Sequence, residues 1–260
     1  MKVVILCGGY GTRIRDVADN IPKPMIPIGG VPILWHIMKH YAHFGHKQFT
    51  LCLGYKSNVI KEFFLNYEAL TRDFTISLGN NKSLIFHTNH MESDWEVTLA
   101  ETGLDTMTGA RLSRVKKYMI GEKDFMLTYG DGVGNIDLNK LIEFHRSHGK
   151  ILTVTGVRPP GRFGELVSMN DGLVTEFNEK PQATGGRISG GFFVCRSEIF
   201  DYLSDQQSLI FEQEPLRQLV CDRQMMVFEH DGFWQPMDTH REYLLLNSLV
   251  ESGKAPWILW

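Results

Sequence analysis

Apolar residues along this chain fall into short β-branched runs that alternate with stretches where they recur every three or four positions, the pattern of buried strands between amphipathic helices. Lys2–Leu6 predicts a first strand that empties into a glycine-rich loop. Pro32–Phe44 predicts a helix, with proline in its first turn, Gly45 to stop it, and Ile33, Ile37, Tyr41 and Phe44 on one face. Phe49–Leu53 predicts a second strand, and Ser57–Leu70 a second helix carrying Val59, Ile60, Phe63, Phe64 and Tyr67. Between Thr71 and Leu99 the periodicity weakens, and pieces such as Ser83–His87 and Glu96–Leu99 predict hairpins or an edge extension. The alternation then resumes with a helix near Gly109–Met119, a strand at Asp124–Tyr129, a helix at Leu138–His148 and a strand at Ile151–Val157.

Beyond Val157 the character changes. Leu166–Met169 and Leu173–Phe177 flank Asn170-Asp171-Gly172, a hairpin signal. Ile188–Cys195 predicts a strand interrupted by Gly190-Gly191, and paired glycines within a strand often mark close approach by a ligand. Glu214–Val220 and Arg241–Glu251 predict helices. The whole predicts an α/β fold: a Rossmann-like, mixed, mainly parallel sheet flanked by helices, with a smaller β-rich elaboration. No linker rich in proline, glycine or serine divides the chain, so a single domain over residues 1–260 is expected, with residues 1–150 and 151–260 as its two parts.

At 260 residues with 43% hydrophobic content, the chain can bury a full core without disulfides. Cys7, Cys52, Cys195 and Cys221 form no C-x-x-C pair, so reduced, buried thiols are expected in place of a zinc ribbon or redox dithiol. A net charge of −3 gives no footprint for non-specific nucleic-acid binding. No apolar run approaches the roughly 20 residues that span a bilayer, and no apolar leader precedes the first strand. A soluble cytoplasmic protein without nucleic-acid or membrane partners is therefore expected. His36, His40 and His43 line one helix edge at a spacing that resembles zinc ligation. They lack an accompanying H-E-x-x-H glutamate and border the apolar face, which favours buried, hydrogen-bonded histidines or a subunit contact.

The chemistry concentrates in Gly8-Gly9-Tyr10-Gly11-Thr12-Arg13 and Pro22-Lys23-Pro24. Glycines directly after a strand let backbone N–H groups approach a phosphate or base. The spacing fits neither G-x-G-x-x-G nor the P-loop. Prolines on both sides of Lys23 are expected to hold it extended and aimed, while Arg13 offers a fork for phosphate oxygens. Asp131, between Gly130 and Gly132 after an apolar strand, is presented where α/β sheets bind ligands, and Asp238 is a second candidate for a hard cation. Left to themselves, Asp131 could be a turn residue and Asp238 could cap the helix near Arg241.

The combined Gly-Gly-x-Gly-Thr-Arg and Pro-Lys-Pro pattern resembles the signature of the sugar-phosphate nucleotidyltransferases, over the whole chain. That resemblance implies the nucleotide-diphospho-sugar transferase fold, with the β-rich elaboration on the sugar side. It implies Mg²⁺ on Asp131 and Asp238, with Arg13, Lys23 and Asp131 as the catalytic set. It places Leu6, Gly8, Gly9, Gly11, Thr12, Arg13, Lys23, Thr106, Arg111 and Gly130 at the nucleotide, and Glu179, Lys180, Gly190 and Gly191 at the sugar phosphate. Pro32–Met38, Thr128–Gly132, Pro159–Gly164, Gly190–Val194 and Gly232–Thr239 resemble the cytidylyl-transferring members more than the thymidylyl or uridylyl ones, which implies CTP and glucose 1-phosphate as substrates. A homo-oligomer, a hexamer on the same resemblance, is expected. Cys7 and Ile14 stand where the family commonly has Ala and Leu, and Asn80–Asp94 matches poorly, so the sugar is less well specified than the reaction. Another nucleotide or sugar phosphate, or a non-catalytic nucleotide-sugar-binding regulator, are the alternatives.

Overall fold

In the computed structural model, residues 1–11, 14, 20–79, 83–88, 91–159, 165–169, 174–178 and 186–260 are described. Seven of the predicted or newly found strands make one sheet: β1 (Val3–Leu6), β2 (Gln48–Leu53), β3 (Glu96–Glu101), β4 (Asp124–Tyr129), β5 (Leu152–Val157), β6 (Ile188–Arg196) and β7 (Met225–His230). Their spatial order is β7-β5-β6-β4-β1-β2-β3. β1 runs parallel to β2 and β4, β2 parallel to β3, and β5 parallel to β7, while β6 is antiparallel to both its neighbours. Among the described residues seven α-helices accompany the sheet: α1 (Ile33–His43), α2 (Ser57–Leu65), α3 (Tyr67–Thr71), α4 (Thr108–Arg114), α5 (Leu138–His148), α6 (Glu214–Cys221) and α7 (His240–Glu251).

Buried strands leave both faces apolar, which is why their sequences read as continuous hydrophobic runs. Val3 and Ile5 pack on one face with α1, and Val4 and Leu6 pack on the other with Leu112, Phe125 and Phe193. The chain builds β1, β2 and β3 outward in one direction, then places β4 on the opposite side of β1. The loops after β1 and β4 consequently part at a switch point, where α/β sheets open a crevice. β6 returns antiparallel beside β5, with Val157 opposite Ile188, so the excursion between them lies at the same carboxyl end. Within it Glu165–Ser168 pairs antiparallel with Val174–Asn178, as the hairpin signal predicts; its Asn170-Asp171-Gly172 turn lies outside the described residues.

Several predictions of boundary and type need correction. The helix expected over Ser57–Leu70 breaks at Asn66, whose side-chain amide donates to Glu62 O at 2.8 Å and competes with the backbone ladder. The helix expected at Gly109–Met119 is α4 followed by a 3-10 turn at Lys116–Tyr118. Between Thr71 and Leu99 both expected features occur: Leu84–Phe86 forms a hairpin with Phe74–Ile76, and Glu96–Glu101 extends the main sheet at its edge, two residues past the predicted Leu99. β7 was not predicted: its half-exposed edge position gives no clear alternation.

Candidate active site

The loop after β1 is built around a buried cation. Arg111, expected at the nucleotide, is 4% exposed and lies in the last turn of α4. Its guanidinium donates to five acceptors: Gly8 O at 2.9 Å, Leu53 O at 2.9 Å, Thr102 Oγ1 at 2.8 Å, Gly103 O at 2.7 Å and Leu104 O at 3.0 Å. These acceptors come from the ends of β1, β2 and β3, so one side chain ties three loops together. Gly8 is required by this packing, since a Cβ there would stand 2.2 Å from Arg111 Nη1. Among the described residues Arg111 has no carboxylate partner, and burial lowers its pKa. Gly9, by contrast, has nothing within 4 Å of a would-be Cβ and faces the open crevice.

Lys23 opens a 3-10 turn, Lys23–Met25, with Met25 N donating to Pro22 O at 2.8 Å. The extended conformation expected for it holds only at Pro22, because Pro24 suits the first turn of a helix, where no N–H is needed. Gly11, at φ +61°, passes close beneath it, its would-be Cβ 3.0 Å from Lys23 Cβ. The ammonium reaches two carboxylates, Asp131 Oδ2 at 2.6 Å and Asp238 Oδ1 at 2.5 Å. Burial pulls the Lys23 pKa down, but the two carboxylates outweigh it and the net shift is upward. Asp131 and Asp238 are joined independently: Gly132–Gly134 pairs antiparallel with Trp234–Pro236, and Met237 N donates to Asp131 O at 2.8 Å. Asp238 does not cap α7. Thr239 does, in a reciprocal capping box with Glu242.

These groups line a cavity of about 390 Å³ between the two loops, which Leu6, Gly8, Gly9, Gly11, Lys23, Thr106, Arg111, Gly130, Asp131 and Asp238 all border. Ten of the residues expected at a nucleotide or metal are thus brought together. Thr106 is buried, and its hydroxyl accepts from Arg114 Nη1 at 2.8 Å. Gly190 and Gly191 line a smaller hollow that shares Tyr129 and Asp131 with the main cavity. There Trp234 Nε1 donates to Gly190 O at 2.7 Å, and Gly191, at φ +74°, lies so near the Tyr129 ring that a Cβ would stand 2.4 Å from Cδ2. Thr12, Arg13, Glu179 and Lys180 lie outside the described residues.

Among the described residues no group of three or more His, Cys, Asp or Glu could hold a metal. The helical histidines follow the bland expectation. His36 Nε2 meets Ile28 O at 2.9 Å and His40 Nε2 meets Ile136 O at 2.9 Å, both rings being buried, while His43 is exposed. Cys7, Cys52 and Cys195 are free and buried as expected, but Cys221 is exposed. Sequence reasoning gave no role to Tyr129, Thr108, Trp234 or Glu212. Tyr129 stands directly before Gly130-Asp131, a position that could have marked it, whereas Glu212 joins the site through contacts distant in sequence.

Residues 2–253 match the profile of the family described as Nucleotidyl transferase. Over its full length the chain is 48% identical to glucose-1-phosphate cytidylyltransferases of Salmonella typhimurium and Salmonella typhi, covering 100% of each. In structure it is similar to HddC from Yersinia pseudotuberculosis, with a TM-score of 0.65, 23% identity, and coverage of 96% of this chain and 99% of that one.

Proposed function

This chain belongs to the nucleotidyl transferase family, and from that premise we propose that it transfers the cytidylyl group of CTP to glucose 1-phosphate, giving CDP-glucose and pyrophosphate. A phosphate oxygen of the sugar attacks the α-phosphorus of CTP in line; the new P–O bond forms as the bond to the bridging oxygen breaks, and pyrophosphate leaves with that electron pair. The attacking phosphate is already anionic, so no general base is needed. The barrier is the meeting of two anions, and fixed charge and alignment lower it.

The observation that carries this reading is the convergence of Lys23, Asp131 and Asp238 at the mouth of a glycine-walled cavity with the Arg111 cation beneath it. Lys23 would meet the triphosphate as a point charge, and Arg13 would grip it as a fork. Arg111, committed to five acceptors, holds the loop that receives the nucleotide and lends its field from below. Glu179 and Lys180, with the Gly190-Gly191 hollow, would hold the sugar phosphate. In this reading residues 1–150 carry the nucleotide and residues 151–260 the sugar phosphate.

Asp131 and Asp238 suit Mg²⁺: two carboxylates, each about a third exposed toward the cavity, leave further positions for phosphate oxygens and water. Bound there, the ion would supply Lewis-acid neutralisation of phosphate charge. A homo-oligomer belongs to the same proposal, and light scattering tests it.

The deciding experiment supplies each of the four nucleoside triphosphates with glucose 1-phosphate and Mg²⁺ and measures pyrophosphate. Release with CTP is expected. Preference for another triphosphate would move the assignment within the family, and tight CTP binding without turnover would make the chain a regulator.

A further inference from the structure

The wall of the nucleotide cavity is not held by its own helix alone. The start of α4 lacks a side-chain cap, and a strap of residues 206–212 supplies the acceptors. Gln207 O takes the Met107 N–H at 2.9 Å, and Leu209 O takes those of Gly109 and Ala110 at 3.0 and 3.3 Å. Gly109 permits the approach, because a Cβ there would stand 2.9 Å from Leu209 Cγ. Phe211, fully buried, pins the strap to the core with its ring edge-on to Phe193 at 5.7 Å.

At the end of the strap Glu212 accepts hydrogen bonds from the Tyr129 hydroxyl and, at 2.6 Å, from the Thr108 hydroxyl. The Thr108 oxygen in turn accepts the Phe211 N–H at 2.9 Å. Thr108 lines the nucleotide cavity, and Tyr129 is the partition between that cavity and the Gly190-Gly191 hollow. Glu212 itself lines neither. Hydrogen bonds to a carboxylate are about twice as strong as neutral ones, and this carboxylate uses two of them to join the nucleotide wall to the partition. A negative charge beside a polyanion's cavity would otherwise oppose binding.

We infer that Glu212 is a positioning residue for both substrates: it fixes the Tyr129 ring and the Thr108 wall, and through them the fit of nucleotide and sugar phosphate on either side. The inference rests on the substrate assignment above. It predicts an effect on binding out of proportion to any effect on the chemical step.

Steady-state kinetics and calorimetric CTP binding with the full chain test it. Glu212→Ala, which removes both charge-assisted bonds, is expected to raise KM for CTP and for glucose 1-phosphate about tenfold or more, with kcat changing less than KM. Tyr129→Phe is expected to raise both in the same way, and the double variant to match Glu212→Ala alone, since both changes remove one shared bond. Glu212→Gln, which keeps an acceptor without the charge, is expected to fall between. Unchanged KM values, a fall confined to kcat, tighter CTP binding, or additive effects in the double variant would each overturn the inference. If Glu212→Ala does not fold, Tyr129→Phe and Glu212→Gln decide on the same criteria. A wild-type chain that neither binds nor converts CTP brings down the substrate assignment and this inference together; a wild type that converts CTP beside Glu212 variants with unchanged KM brings down the inference alone.

Discussion

Among the described residues, the two least exposed lysines that meet carboxylates are Lys39 and Lys23, and their surroundings differ in sign. Lys39 pairs with a single partner, Glu92, at 2.8 Å; both side chains are 9% exposed, and the ammonium lies over the rings of Trp35 and Trp260 at 5.2 and 6.0 Å. Lys23 serves two partners, Asp131 and Asp238, whose side chains are 35% and 32% exposed to the cavity. The first arrangement is neutral, sealed and complete. The second carries one negative charge in excess and stands open to the cavity, where the proposed Mg²⁺ and phosphate would offset it. Charge left unbalanced toward a cavity marks function more clearly than the number of ion pairs does.

The largest effect expected from this contrast falls on the sealed pair. Lys39→Met should cost about 3–5 kcal/mol of stability, because it strands Glu92 without its charge partner, while turnover per folded molecule stays at the wild-type level. Urea denaturation alongside pyrophosphate release measures both; a loss of activity without a loss of stability would erase the distinction. The open cluster should behave in the opposite way. Lys23→Ala should remain folded yet lose on the order of 2–4 kcal/mol of transition-state stabilisation, roughly a hundredfold or more in turnover, and near-normal turnover would refute its role.

Divalent binding sharpens the comparison further. Mg²⁺ at about a hundred times its dissociation constant should add roughly 2.7 kcal/mol to the stability of the wild type, and Asp131→Asn should abolish that gain; thermal melts with and without the ion decide. The smallest effect, read over a single pH unit, concerns α1, which carries both Lys39 and the buried histidines. Burial holds His40 at a pKa of about 4 against its ordinary 6.5. The unfolded chain therefore takes up this proton first as pH falls, so the stability contributed is complete above pH 6.5 and is lost toward pH 4, at about 1.4 kcal/mol per pH unit for one proton. His40→Gln should flatten the slope of stability against pH across that window, and an unaltered slope would place the titration elsewhere.

Local patterns carried much of the fold into view. The boundaries of β4 and α5 agree with the periodicity residue for residue, because burial on a continuous sheet and an Asp137 cap followed by Gly149 leave strong local traces. The ends of β1 at Leu6 and of β4 at Tyr129 were legible for the same reason. Arg111 was named for the cavity, but its burial beneath the loops was not legible, since four of its five acceptors are backbone carbonyls and a carbonyl has no letter in the sequence. The Lys39–Glu92 pair, the Glu212 latch and the edge strand β7 share that cause: each depends on neighbours far along the chain. Asn66 shows the converse, a local hydrogen bond that ends a helix whose apolar spacing continues.

The short ribbon that pairs Gly132–Gly134 with Trp234–Pro236 has a consequence for how such a molecule can vary. It makes two acidic side chains from distant parts of the chain a single rigid unit, whatever the intervening polypeptide does. The hairpin and the other segments threaded between its two arms can therefore lengthen, shorten or change their recognition chemistry while the gap between the carboxylates stays constant. A new acceptor sugar could be accommodated by rebuilding that loop of chain, with the phosphate-exchange apparatus inherited unaltered.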